Sequence, residues 1–174
     1  MREESRKRGI NLVLRSDCGI FVSSNPCVRT GHRQAQKKAS MQQRDYFIRI
    51  IEEFMAAVAR FLEKAEGKRN DDELRDLYRQ YVGDYELLRN MTVEEAIGYA
   101  HEQWAEGQSV QKLEMLAELL YAEGSYKQQP LRGMLLDKAF RLYDYVDGHS
   151  SDFSLIRKQR IAEIQGMIAR GTQK

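Results

Sequence analysis

The run from Ser109 to Val146 can fold into little other than a pair of helices. Leu113, Leu116, Ala117, Leu120 and Tyr121 recur at intervals of three and four, the spacing that lines one face of a helix. Leu131, Met134, Leu135, Leu142, Tyr143 and Val146 repeat that spacing after Pro130, whose missing N–H is harmless in a first turn. Gly124-Ser125 reads as the turn between them. Neither helix can hide its stripe alone, so each needs the other and at least one more helix.

The remaining chain supplies those helices. Phe47, Ile50, Ile51, Phe54, Val58, Phe61, Leu62 and Ala65 predict a long helix from Met41, ended by Gly67. Asn70-Asp71-Asp72-Glu73 places acceptors and negative charge at a helix start, and Leu74, Leu77, Tyr78, Tyr81 and Val82 follow as its stripe. Gly83-Asp84 breaks it, and Tyr85, Leu87 and Leu88 are expected in an irregular loop with their apolar groups inward. Thr92-Val93-Glu94-Glu95 is a capping box, which satisfies two backbone N–H groups reciprocally. Val93, Ala96, Ile97, Ala100 and Trp104 then share a face up to Gly107. Ser150 or Ser151 is expected to cap a last helix whose stripe is Phe153, Ile156, Arg160 or Ile161, Ile164, Met167 and Ile168. Arg157, Lys158 and Arg160 on it read as a solvated basic face. No alternating run is long enough to build a sheet. The expected fold class is all-α, a compact bundle of about six helices.

Residues 1–40 differ in kind. They hold nine Lys/Arg against three Asp/Glu, whereas residues 41–174 hold nineteen against twenty-three, so the net charge of +2 hides an uneven distribution. Both cysteines, Cys18 and Cys27, also fall there, leaving the body without thiols. Ile10 to Leu14 and Gly19 to Val22 are broken by Arg15-Ser16-Asp17-Cys18, which spoils a signal-peptide hydrophobic region. The segment is expected to be disordered or irregular, either as a basic tail or as upstream sequence preceding a true start at Met41. Cys18, Cys27 and His32 fit no standard zinc spacing and lack a fourth ligand. The basic residues could meet phosphates, but Phe21 is the lone aromatic for stacking and the body is acidic, which argues against nucleic acid.

Two resemblances are carried by particular residues. Leu113, Leu116, Ala117, Leu120, Gly124 and Tyr126 sit on the pattern of the first helix and turn of a tetratricopeptide repeat, and Ala139 and Tyr143 extend it. Between Tyr126 and Ala139 the chain is longer than a repeat allows, and no second copy follows, so one hairpin resembles the repeat without a solenoid. The stretches 44–54, 87–97 and 112–126 together resemble a family of uncharacterised bacterial helical proteins. That family's members look as if they begin near the Asp45-Tyr46 pair, which favours Met41 as the start. The resemblance implies a fold and no activity.

Chemistry-bearing motifs fail on inspection. His101-Glu102 matches half of H-E-x-x-H, but Ala105 stands where the second ligand belongs. Gly148-His149-Ser150 opens like a nucleophile elbow, but Asp152 replaces the second glycine and no strand precedes it. No glycine-rich phosphate loop is present, no cofactor is implied, and no stretch reaches the roughly 18 apolar residues of a membrane span. The absence of thiols in the body makes a cytoplasmic setting the default. The expected function is a non-enzymatic interaction or scaffold module, holding a protein partner or a second copy. Tyr78, Tyr81, Tyr85, Tyr99, Trp104 and Tyr126 are the candidate contact face. The alternative is a small ligand binder or enzyme with a site between helices, for which His101 and Glu102 are the example residues.

Overall fold

Side-chain oxygens set where the short helices of this chain begin. The computed structural model describes residues 29–105 and 107–171. Among them run α1 (Arg29–Glu63), a 3₁₀ turn (Glu66–Lys68), α2 (Asp71–Tyr81), α3 (Tyr85–Asn90), α4 (Val93–Gln103), α5 (Ser109–Tyr126), α6 (Leu131–His149) and α7 (Leu155–Gly171), with no strand. Asn70 accepts from the Asp72 N–H at 3.0 Å to open α2, and Asp84 accepts from the Leu87 N–H at 2.8 Å to open α3. The capping box of α4 is complete: Thr92 Oγ1 accepts from the Glu95 N–H at 3.2 Å, and Glu95 Oε2 from the Thr92 N–H at 2.8 Å. Each bond satisfies an amide that the helix itself leaves without a partner.

The chain divides into two units, 1–41 and 42–174. The α1 backbone starts at Arg29, not at Met41. Gln, Ala, Lys and Arg between Arg33 and Ala39 are strong helix formers, so a helix continues there without an apolar stripe. The expectations for residues 1–28, including Cys18 and Cys27, lie outside the described residues.

Helix α5 is the centre of the second unit. From Met115 to Gly124 every residue is buried. It packs most extensively on α6, and also touches α2 and α4, while α7 leans on α6. Gly124 lies beside Leu135 and Leu136, and Glu118 beside Tyr143, so α5 and α6 run antiparallel. The turn is not Gly124-Ser125: both are helical, and residues 127–130 make the connection, with a cis Gln129–Pro130 bond. Gly124 serves close approach instead. A Cβ there would stand 3.0 Å from both Cγ and Cδ2 of Leu136. Pro130 is the cap residue before α6 and not its first helical one.

Helix α1 joins this core through rings. Phe54, Val58 and Phe61 are fully buried, with Phe54 edge-on to Tyr81 at 5.2 Å and Phe61 edge-on to Tyr126 at 5.9 Å. Burying such rings stabilises by about 1.5–3 kcal/mol each. The helix stops at Glu63, before Gly67, and Ala65 is exposed.

Three further expectations are corrected. Residues 85–90 form α3 and not an irregular loop: Tyr85 and Leu88 point inward, and Leu87 is exposed. Met134 is 68% exposed, because the inward face of α6 is Leu135, Leu136, Ala139, Leu142, Tyr143 and Val146. Helix α7 begins at Leu155, with Ser154 Oγ accepting from the Arg157 N–H at 3.2 Å, so neither Ser150 nor Ser151 caps it. Only the start of the stripe differs. Arg157 turns inward and Phe153 and Ile156 are exposed, while Ile161, Ile164, Met167 and Ile168 face the core as expected.

Candidate functional site

A helix buried on all sides should carry no charge, yet α5 carries Glu118 and Glu123, 3% and 0% exposed. Moving a carboxylate from water into a protein interior costs several kcal/mol, so each needs a close cation. Glu123 Oε1 accepts from Arg89 Nε at 2.8 Å and from the Tyr85 hydroxyl at 3.2 Å. Glu118 accepts from Arg160 Nε at 2.9 and 3.2 Å, and from the Tyr143 hydroxyl. One turn earlier, Glu114 accepts from Arg157 Nη1 at 3.1 and 3.2 Å. Arg157 also reaches Asp147 Oδ1 at 3.1 Å and the Asp152 carbonyl at 2.6 Å. The basic cluster of α7 is therefore solvated only at Lys158: Arg157 is buried, Arg160 is half-buried, and both are clamped to α5. Nothing in the local spacing separates a buried arginine from an exposed one, because its partners lie more than forty residues away.

The electrostatics follow from burial. Burial raises the pKa of Glu114, with Arg157 opposing it. Burial, and then Glu118, push Tyr143 well above the ordinary phenol value. Burial, and then Glu123, push Tyr85 up to about 12. Burial disfavours the charged form of Arg160, and Glu118 and Glu163 more than offset it, so its pKa is raised. Arg160 therefore stays charged at any ordinary pH.

Beside the clamp lies a cleft of about 180 Å³ between α1, α5 and α7, with Ile51, Met55, Met115 and Ile156 as its apolar wall. Glu114, Glu118, Arg157 and Arg160 form its polar side. A carboxyl group acting as general acid or base must be free to exchange its proton with a substrate. Both carboxylates here are committed to guanidinium groups. Ile156, which lines the cleft, is 54% exposed, and its chain neighbours Phe153 and Leu155 are 80% and 63% exposed. Nowhere else among the described residues do three exposed large apolar side chains fall within four residues of sequence.

The six candidate contact residues do not share a surface. Tyr78 and Tyr85 are buried, with rings edge-to-face at 5.0 Å. Tyr126 is half-buried, and its hydroxyl donates to Asp71 Oδ1 at 2.7 Å. Tyr81 packs on Phe54. Tyr99 and Trp104 pair at 5.6 Å, with the Lys112 ammonium over the indole at 5.4 Å. His101 and Glu102 are exposed and line none of the described clefts, and the His101 ring meets the Tyr145 hydroxyl at 3.2 Å. Among the described residues no three His, Cys, Asp or Glu are grouped to hold a metal ion. No helix among them is long and apolar enough to cross a membrane. Sequence spacing alone misses the Phe153 surface, because it places Phe153 and Ile156 in the interior.

No protein-family model, curated protein or solved structure matches the chain.

Proposed function

We propose that this chain is a non-enzymatic interaction module that holds an apolar segment of a protein partner. The carrying observation is that Phe153, Leu155 and Ile156 are all exposed, and that Ile156 also lines a cleft with Ile51 and Met55. Exposed side chains of this kind lose water-facing area when covered, which favours association by about 25 cal/mol per Å². The ion pairs behind the surface hold α7 on α5, so the surface is presented on a rigid support. The likeness of the α5–α6 hairpin to a tetratricopeptide unit agrees with a binding role, although one hairpin makes no concave groove.

A photo-crosslinking amino acid at position 153 of the full chain tests the reading, with position 79, an exposed arginine on α2, as the control. Adducts to one partner protein from position 153 and none from position 79 support it. Equal labelling from both positions, or none from either, overturns it. Light scattering across a concentration series shows whether the partner is a second copy.

A further inference from the structure

We infer that a second cleft, between the end of α1 and helices α5, α6 and α7, binds a small soluble phosphomonoester. This cleft is separate from the Phe153 surface and has a volume of about 460 Å³, in the range of small-ligand sites. Three guanidinium groups line it: Arg69, Arg132 and Arg160.

Their partners differ. Arg160 is already neutralised by Glu118 and Glu163. Arg69 is held rigidly, but by neutral oxygens. Its Nη1 donates to Ser125 Oγ at 2.9 Å, its Nη2 to the Leu62 carbonyl at 2.6 Å, and its Nε to the Lys64 carbonyl at 3.1 Å. A guanidinium has five N–H donors, so two remain. The carbonyls at the C-terminal end of α1 temper its charge without cancelling it. Arg132, in the first turn of α6, is half-buried and pairs with no carboxylate among the described residues. The acid that lines the cleft is Glu63, which is exposed at its edge.

The cleft therefore offers one preset guanidinium and one without an acceptor among the described residues, with N–H donors to spare. Ser125 and Tyr121 add no donor, because their hydroxyls are given to the Ala122 carbonyl and to Glu163. Planar guanidinium forks match the oxygens of a phosphate, and two of them favour a dianion over a monocarboxylate. The size of the cleft leaves room for a small organic group on the phosphate.

The test is a titration of the full chain with inorganic phosphate, phenyl phosphate and acetate, each at ionic strength matched with chloride. The readout is the arginine Nε–H resonances in a nitrogen-labelled sample. Saturable shifts with both phosphates, weakened about tenfold or more in Arg132→Gln, support the site, since each charge-assisted contact is worth at least that factor. Arg132 makes no ion pair among the described residues, so this variant should keep the fold even if Arg69→Gln does not. The same shifts with chloride alone, or unchanged phosphate affinity in Arg132→Gln, overturn the proposal. Flotation with phosphatidic-acid vesicles, without any response to soluble phosphate, overturns the assignment to a soluble ligand.

Discussion

Arg157 Nη1 lies 3.1 and 3.2 Å from the two carboxylate oxygens of Glu114, and the arginine side chain is 2% exposed. The contact joins α7 to α5 across forty-three residues of sequence. Its cost and its use come from the same physics. Such a pair gains little over a well-packed apolar one, but removing one member leaves a charge without compensation.

Arg157→Ala should therefore destabilise the fold by about 3–5 kcal/mol, because the half-buried Glu114 loses its cation, while Asp147 keeps Lys158. Arg157→Met combined with Glu114→Met should recover much of that loss. Urea denaturation of the single and double variants measures both. If the double variant is no more stable than the single one, the coupling between the two residues is absent.

The glycines separate into two kinds. Gly98 in α4 and Gly166 in α7 are open to an added Cβ, which would meet nothing within 4 Å. Alanine at either should stabilise by about 0.5–1 kcal/mol, since it restricts the unfolded chain and favours helix. Gly124 has the opposite environment. Gly124→Val would drive its side chain into fully buried Leu136 and should cost about 1–3 kcal/mol. Thermal melts of the three variants check the contrast in sign.

Stability should fall at both ends of the pH scale. The Lys127 hydrogen bond lowers the pKa of Asp71 below its ordinary 3.8, and bonds from Lys158 and Arg157 lower that of Asp147. Their contribution is complete above about pH 4 and drains away as pH drops through the lowered values. Burial raises the pKa of Glu114, which works in the opposite sense. Asp71→Asn should make the acid limb shallower. Burial raises Tyr78, Tyr85 and Tyr143 above the ordinary 10.0, Tyr85 to about 12. Their neutral forms favour the fold, so stability is intact below pH 10 and is lost as pH climbs past it. Phenolate absorbance should then rise in two stages, the second coinciding with loss of helical circular dichroism.

Phe153→Ser with Ile156→Ser should leave the melting temperature within about 2 °C of the parent, since neither residue is in the core. The same pair should abolish crosslinking from a probe at Leu155. A large drop in melting temperature would show instead that these residues are covered within the chain itself.

Periodicity reads well wherever burial is one-sided, as for Phe54, Val58 and Phe61 on α1. On α5 the stripe of Leu113, Leu116, Ala117, Leu120 and Tyr121 also lies inside, but Met115, Leu119 and Ala122 outside that stripe are buried as well. The Thr92–Glu95 capping box is visible because its chemistry is local. Asp84 is equally local, since its side chain opens α3, yet the glycine before it makes the stretch read as a loop. The pattern misleads where a polar residue holds an apolar position. Arg157 takes the inward place in the first turn of α7 that the pattern gives to Ile156, which hides the exposure of Phe153 and Ile156. Glu118 and Glu123 are just as opaque, because a buried charge is explained only by a distant partner.

The unbroken enclosure of Met115 through Gly124 makes α5 a built-in clock for the whole molecule. Local fraying cannot release amides that have neighbours on every side, so deuterium should enter this stretch only when the entire bundle comes apart. Its exchange rate then reads the global free energy directly, while α3 and the end of α7 report only their own openings.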